Sequence, residues 1–280
     1  MGAGSFGSGA ATTGLVFFRR RTVREASGVQ NERSAANELD EVRSAGVEVI
    51  VGAFDAATVD HARRVALAHS DLMKRTRPTP SARHVAGFHR FPALEPLHTA
   101  ITGNPLVTER MQVLLGAPLR TIGLSDITID RSQQWHKDLL RGAYRSFLEP
   151  HGVCANNHGK AFKVIMYLQD SNSLQVIPGS HRRDIDLDSD QHAIPGPNDS
   201  VIPVPVRTGD AVIIDLCTTH RGADEATYLG QPDDAPPRIL VSTVFTRAEC
   251  DFADRLEAGN AARLADWSRR PETWIDTAID

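Results

Sequence analysis

Residues 206–220 read Val-Arg-Thr-Gly-Asp-Ala-Val-Ile-Ile-Asp-Leu-Cys-Thr-Thr-His. The tripeptide Thr208-Gly209-Asp210 predicts a turn, and the apolar run from Ala211 to Leu216 predicts a buried strand. His220 follows close behind that run. The segment therefore predicts a strand that delivers an imidazole at its end.

A second imidazole and a carboxylate stand 84 positions earlier, in His136-Lys137-Asp138. On an extended segment, residues i and i+2 point to the same side, so His136 and Asp138 can reach one metal ion while Lys137 faces away. Two imidazoles and one carboxylate are the ligand set of non-haem Fe(II) sites with open coordination positions. A pair of this kind also arises by accident, and a lone histidine is more often a surface residue or a satisfied core residue.

The order of predicted elements indicates the fold class. Helical periodicity and a short strand at 47–51 occupy the N-terminal part, and strands dominate residues 119–247. Helices first and many short strands afterwards predict an α+β, mainly β protein: a double-stranded β-helix (jelly roll, cupin-like) buttressed by N-terminal helices. We expect a disordered Gly/Ser-rich segment over residues 1–32, a single domain over 33–280 and a jelly-roll core over about 119–247.

Composition excludes several classes of partner. Thirty-one basic and 35 acidic residues give a net charge of −4, which argues against nucleic acid or an anionic membrane surface. No apolar run approaches the roughly 20 residues that span a bilayer. The three cysteines lack Cys-x-x-Cys spacing, so we expect reduced thiols and a cytoplasmic protein. The sequence carries no signal for an oligomeric state.

Four motifs in a fixed order make the sequence similar to a known family. They are Gln134-Trp-His-Lys-Asp138, Phe162-Lys-Val-Ile-Met-Tyr-Leu-Gln-Asp170, Val176-Ile-Pro-Gly-Ser-His181, and Gly209-Asp-Ala-Val-Ile-Ile-Asp215 with His220. Together they resemble the phytanoyl-CoA dioxygenase family of Fe(II)/2-oxoglutarate oxygenases, from about residue 40 to about residue 247. The resemblance implies that His136, Asp138 and His220 bind Fe(II), and that 2-oxoglutarate and O2 are cosubstrates.

The resemblance also implies a site for 2-oxoglutarate, whose distal carboxylate is best neutralised by a guanidinium. In the family this arginine lies on the strand after the distal histidine, which makes Arg238 the candidate, with Ser242 on the same strand face. Alternation places Lys163 on the inner face of its strand and Gln134 on the face of His136, so both are further candidates. Arg238 as a solvated strand-edge charge and Lys163 as a rim residue remain the alternatives.

The expected reaction is oxidation of a small molecule, by hydroxylation or oxidative ring closure. The long polar segment 139–160 has the character of a lid, and its side chains suit a polar substrate. We expect this substrate to be an intermediate of natural-product or antibiotic biosynthesis. The candidate substrate residues are Arg141, Tyr144, Arg145, His151, His158 and Arg90. Two alternatives stay open: a cupin-like metalloenzyme independent of 2-oxoglutarate, and a non-catalytic binding module on the same fold.

Overall fold

Two antiparallel sheets form the framework of the protein. The computed structural model describes residues 42–138, 146–148, 152–232 and 234–270. Its strands are β1 (Val47–Ile50), β2 (Lys74–Arg75), β3 (Arg83–Ala86), β4 (Leu119–Thr121), β5 (Asp126–Ile129), β6 (Ala161–Tyr167), β7 (Gln175–Val176), β8 (Ile202–Pro203), β9 (Ala211–Asp215), β10 (His220–Arg221) and β11 (Ile239–Arg247).

The larger sheet has the strand order β1-β9-β6-β11-β5-β3-β2, with β4 also paired to β11. The smaller sheet has the order β10-β7-β8, and an isolated bridge from His136 to His220 extends it at one edge. From β6 to β11 the chain crosses repeatedly between the two sheets: β6, β9 and β11 lie in the larger sheet, and β7, β8 and β10 lie in the smaller one. Repeated crossing of this kind is the winding of a jelly roll.

The interior of the jelly roll is an apolar layer between the two sheets. Alternate residues of β1, β6 and β9 pack there against β7 and the chain around β8: Val47, Val49, Ile165, Tyr167, Val212 and Ile214 from the larger sheet, and Val176, Val204 and Val206 from the smaller. Because side chains alternate along a strand, Lys163 shares the inner face of β6 with Ile165 and Tyr167.

Helices cover the opposite face of the larger sheet. They include α1 (Ala56–Ala68), α2 (Glu95–Thr102) and α3 (Pro105–Leu115), and their apolar side chains join those of β6, β9 and β11 in the largest core cluster. Asp55 and Asn104 cap α1 and α3 by accepting hydrogen bonds from Thr58 N and Val107 N. The remaining helices are α4 (Val153–Asn157), α5 (Glu225–Leu229) and α6 (Asp251–Arg269).

Asp130 forms the corner where the chain leaves the larger sheet towards His136. Its φ of 50° lies in the left-handed region. The backbone N–H of Asp130 donates to the carbonyl of Arg238, and Asp130 Oδ1 accepts from Arg238 N at 2.7 Å. This reciprocal pair ties the beginning of β11 to the segment that carries the first two metal-ligand candidates.

The predicted fold class is confirmed, with two additions. The short strand predicted at 47–51 is β1; the strands β2 and β3 also extend the larger sheet before residue 119, and α6 adds a C-terminal helix to the expected N-terminal ones. Segment 1–32, predicted to be disordered, lies outside the described residues. Among the helices of the described ranges, none combines the length and apolarity needed to cross a membrane.

Candidate metal centre and cosubstrate site

Three potential metal ligands converge at the edge of the smaller sheet. One ligand atom from each of His136, Asp138 and His220 lies within 4.8 Å of the other two. His136 and His220 face each other across the isolated bridge, with a ring centroid separation of 4.2 Å. In the described part of the chain, this is the one group of three or more His, Cys, Asp or Glu side chains that could hold a metal ion.

Backbone carbonyls fix the orientation of both imidazoles. His136 Nδ1 lies 2.8 Å from the carbonyl oxygen of Gln134, and His220 Nδ1 lies 2.9 Å from that of Thr218. Since a carbonyl only accepts, each Nδ1 carries the proton and donates it. Each Nε2 therefore has the lone pair that a metal requires, which is the usual arrangement behind metal-binding histidines.

Asp138 supplies the third ligand. Its Oδ1 accepts a hydrogen bond from Lys163 Nζ at 2.6 Å and lies 3.6 Å from His136 Nε2. Its Oδ2 is buried without a hydrogen-bond partner, 4.0 Å from His220 Nε2. A buried carboxylate oxygen without a partner is costly, and a divalent cation would satisfy it. The donor set therefore fits Fe(II).

The electrostatics of the site favour the protonation states that bind a metal. Burial, together with the neighbouring His136, lowers the pKa of His220 to about 3 and keeps its imidazole neutral. Burial acts to raise the pKa of Asp138, but Lys163 and the two imidazoles hold that pKa well below its usual value. A carboxylate and neutral imidazoles are the forms in which these side chains coordinate metals.

Arg238 lies immediately before β11, and its guanidinium is held by the turn that follows β6. Nη1 donates to Ser173 Oγ at 2.6 Å and Nη2 donates to Ser171 Oγ at 2.7 Å. Nε is buried without a partner, and the ring of Tyr228 lies 6.0 Å from the guanidinium carbon. An oriented guanidinium with an unsatisfied Nε suits an anionic ligand. Its contact with the distal carboxylate of 2-oxoglutarate remains a prediction.

Sequence comparison assigns the family. Residues 33–227 match the family described as phytanoyl-CoA dioxygenase (PhyH). The chain belongs to the phytanoyl-CoA dioxygenase family. This membership confirms the predicted enzyme class, a non-haem iron oxygenase that uses 2-oxoglutarate. A search of curated protein sequences found no match.

Solved structures support the same fold for this phytanoyl-CoA dioxygenase family member. It is similar to the α-ketoglutarate-dependent epimerase SnoN from nogalamycin biosynthesis, with a TM-score of 0.56, 20% identity, and coverage of 80% of this chain and 87% of that chain. HygX from Streptomyces hygroscopicus, solved with nickel, 2-oxoglutarate and hygromycin B, gives a TM-score of 0.55 at 16% identity over 76% of this chain and 87% of that chain. The carbocyclase SnoK from nogalamycin biosynthesis gives a TM-score of 0.55 at 18% identity, over 76% of this chain and 83% of that chain.

The other predicted cosubstrate residues of this family member lie in different surroundings. Lys163 is buried on the inner face of β6, where it donates a hydrogen bond to Asp138, and so it is not a rim residue. Ser242 is also buried, and its hydroxyl lies 3.5 Å from the carbonyl oxygen of Asp126, not beside the guanidinium of Arg238. The Gln134 side chain is exposed, and its backbone carbonyl is what holds His136. Their contacts with 2-oxoglutarate remain predictions.

The predicted substrate residues divide into two groups. Arg90 is exposed and donates to the carbonyls of Ala86 and Gly87. His158 is exposed, with its ring 5.8 Å from that of His181. The others lie outside the described residues: Arg141, Tyr144, Arg145 and His151.

Sequence reasoning missed two serines and one buried lysine contact. Ser171 and Ser173 hold Arg238, and the signal that could have found them is the polar turn Asp170-Ser-Asn-Ser173 directly after β6. Lys137 faces away from the metal ligands as predicted, but it is fully buried, and its ammonium donates to three backbone carbonyls. The sequence does not show that Lys137 is buried, because its partners are backbone carbonyls at distant positions and any residue type supplies a carbonyl.

Proposed function

We propose that this protein uses Fe(II), 2-oxoglutarate and O2 to oxidise a polar small molecule, an intermediate of natural-product or antibiotic biosynthesis, by hydroxylation or oxidative ring closure. The observation that carries the proposal is the geometry of the metal centre. Two imidazoles with their Nε2 atoms preset by backbone carbonyls converge with a carboxylate oxygen that has no other partner. The same ligand set characterises oxygenases that keep open positions on iron.

Each residue of the site has a distinct task. His136, Asp138 and His220 would hold the iron, which when bound supplies the oxidising chemistry that no side chain can provide. Arg238 would bind the distal carboxylate of 2-oxoglutarate, with Ser171 and Ser173 keeping its guanidinium in place. Lys163 keeps Asp138 ionised and oriented.

The substrate class is supported by the proteins that share the fold. SnoN has been solved in complex with Fe3+, α-ketoglutarate and nogalamycin RO, and HygX with hygromycin B. SnoK is a carbocyclase of nogalamycin biosynthesis, which makes ring closure a reaction class to consider beside hydroxylation.

The free thiols Cys154, Cys217 and Cys250 fit a reducing compartment, and we expect the protein to work in the cytoplasm.

The test is an anaerobic titration of metal-free protein with Fe(II) and then 2-oxoglutarate, following the weak visible charge-transfer band of the iron chelate. We expect the band in the wild type and its loss in His136→Ala. Arg238→Ala should retain iron binding but need about 10-fold or more 2-oxoglutarate, because a charge-assisted, bidentate contact is lost. His61→Ala and Arg247→Ala, which remove an exposed imidazole and an exposed guanidinium elsewhere, should titrate like the wild type.

The outcomes separate the proposal from its alternatives. Tight iron binding without a band at any 2-oxoglutarate concentration would overturn the proposed cosubstrate and favour a metalloenzyme independent of 2-oxoglutarate. Absence of iron binding in the wild type would leave a non-catalytic binding module on the same fold. A wild-type titration curve in Arg238→Ala would exclude Arg238 as the carboxylate-binding residue while leaving the cosubstrate in place.

A further inference from the structure

Lys137 is the residue between the first two metal-ligand candidates, and it is one of the largest fully buried side chains of the described protein. Its Nζ donates to the carbonyl oxygens of Ser180 at 2.5 Å, Cys217 at 2.6 Å and Arg183 at 2.9 Å. An ammonium has three N–H donors, one for each of these carbonyls, and the Cys154 side chain is a further neighbour of the ammonium. No carboxylate shares in this coordination.

The three carbonyls belong to segments that support the metal centre. Cys217 stands three positions before His220, on the chain between β9 and β10. Ser180 and Arg183 belong to the turn after β7, and the hydroxyl of Ser180 accepts from Thr219 N at 2.8 Å. The ammonium of Lys137 therefore connects the segment of His136 and Asp138 directly with the segment of His220, through the carbonyl of Cys217. It also binds the turn after β7, which in turn contacts the His220 segment through Ser180.

Burial of a charged lysine is energetically unfavourable compared with an apolar side chain of the same size. Desolvation of the ammonium is the main cause that lowers the pKa of Lys137. Lysine is seldom fully buried without a role that requires its donors. Its neighbours Cys154 and Cys217 belong to a buried apolar cluster that also contains Leu216 and Val153, so a residue needed only for packing at this position would be apolar.

We infer that Lys137 is a positioning residue of the metal centre. By holding three carbonyls at once, it fixes the distance between the His136–Asp138 pair and His220, on the side away from the metal. The inference rests on the metal centre of the proposed function, but it does not depend on 2-oxoglutarate or on the substrate. It predicts that loss of the ammonium changes metal binding while the three ligand side chains remain present.

The test uses Co(II), whose visible d–d bands report coordination geometry, added to metal-free Lys137→Met, Lys137→Arg and wild-type protein. Methionine keeps the length and apolar stem but cannot donate. We expect folded Lys137→Met to bind Co(II) about 10- to 100-fold more weakly than the wild type, with shifted d–d bands, as for other residues that support metal ligands. Lys160→Met, which changes an exposed lysine, should match the wild type in both readouts.

Wild-type Co(II) affinity and wild-type bands in Lys137→Met would overturn the inference. If Lys137→Met does not fold, Lys137→Arg decides, because it keeps the charge but its planar guanidinium cannot place three donors on the same carbonyls. Shifted bands in Lys137→Arg would then support the positioning role, and unchanged bands and affinity would contradict it. Failure of the wild type to bind Co(II) would instead contradict the metal centre itself.

Discussion

Lys163 Nζ lies 2.6 Å from Asp138 Oδ1, so the carboxylate proposed to bind iron is already paired with an ammonium inside the jelly roll. The side chains of Lys163 and Asp138 are 11% and 13% exposed, which makes the pair nearly buried. The ammonium occupies Oδ1 and leaves Oδ2 towards His220, with no hydrogen-bond partner. Lys163 therefore presents one chosen oxygen of Asp138 to the metal.

This relationship predicts that Lys163→Met destabilises the metal-free protein and that metal restores part of the loss. Removing the ammonium leaves a nearly buried carboxylate unpaired, which we expect to lower the free energy of unfolding by about 1–3 kcal/mol. Co(II) replaces the missing positive charge, so saturating Co(II) should raise the unfolding midpoint more in Lys163→Met than in the wild type. The measurement is urea unfolding with and without Co(II).

Lys160→Met is the control for that experiment, since Lys160 is exposed and its Nζ donates to Asn157. It should show the wild-type response to Co(II). An equal gain from Co(II) in Lys163→Met and the wild type would show that Lys163 does not compensate Asp138 in the metal-free state.

The corner at Asp130 predicts a graded effect of substitution. Asp130→Asn keeps an acceptor for Arg238 N and a residue type that tolerates φ > 0. Asp130→Ala loses both, and we expect it to lower the free energy of unfolding by about 1–3 kcal/mol, against less than about 1 kcal/mol for Asn. The same hydrogen bond fixes the backbone of Arg238, the residue proposed to bind the distal carboxylate of 2-oxoglutarate. Asp130→Ala should therefore also weaken 2-oxoglutarate binding. Chemical denaturation and the charge-transfer titration measure the two effects.

The metal centre was predictable because the i and i+2 spacing on an extended chain puts His136 and Asp138 on one side. The sheet register then confirms that Lys163 faces the interior. In contrast, the partners of Arg238 and Lys137 depend on where a turn and a loop lie in space. Ser171 and Ser173 meet Arg238 across more than 60 residues of sequence, with |i−j| of 67 and 65. Periodicity does not encode such contacts.

The extent of the larger sheet was predicted less well than its core. The strand β3 begins at Arg83, shortly after the loop that Pro78 and Pro80 favour, and it joins the sheet by pairing with β5 on one side and β2 on the other. The strand β5 (Asp126–Ile129) pairs with β11 along one edge and with β3 along the other. Pairing of this kind is decided by tertiary context, which overrides the local preference of the chain.

At Gly209, which lies in a turn, we expect a large loss of stability from the addition of a single methyl group. Its φ is +85°, and a Cβ there would overlap the carbonyl oxygen of Phe54, whose N–H donates to Gly209 O at 2.9 Å. We expect Gly209→Ala to lower the free energy of unfolding by about 2–4 kcal/mol, from backbone strain and the overlap together. Gly159→Ala is the matched control: its φ is +76°, but no atom lies within 4 Å of the added Cβ.

Gly159→Ala should therefore show the backbone strain alone, about 1–2 kcal/mol. Equilibrium unfolding of the two variants gives the contribution of the overlap as their difference. Equal losses in both variants would mean that Phe54 and the turn move apart without cost.

His84 predicts a pH dependence of stability that is independent of the metal ligands. Burial, and next the positive charge of Arg131, lower its pKa to about 4, against the opposing effect of Asp126. Arg263 also acts to lower the pKa, and Lys74 is the residue opposite His84 on β2. The folded protein therefore holds His84 neutral, while the unfolded chain binds a proton near the ordinary pKa of 6.5.

The sign follows from proton binding: below pH 6.5 the unfolded state takes up the proton and the folded state does not, so stability falls as pH decreases from 6.5 towards 4. From pH 7 to pH 5, His84 should account for a loss of about 2 kcal/mol. His84→Gln removes this titration, so its free energy of unfolding should decline less than that of the wild type over the same range. His61→Gln, at an exposed position of α1, should follow the wild type. Parallel pH profiles for His84→Gln and the wild type would show that His84 is protonated with its ordinary pKa in the folded protein.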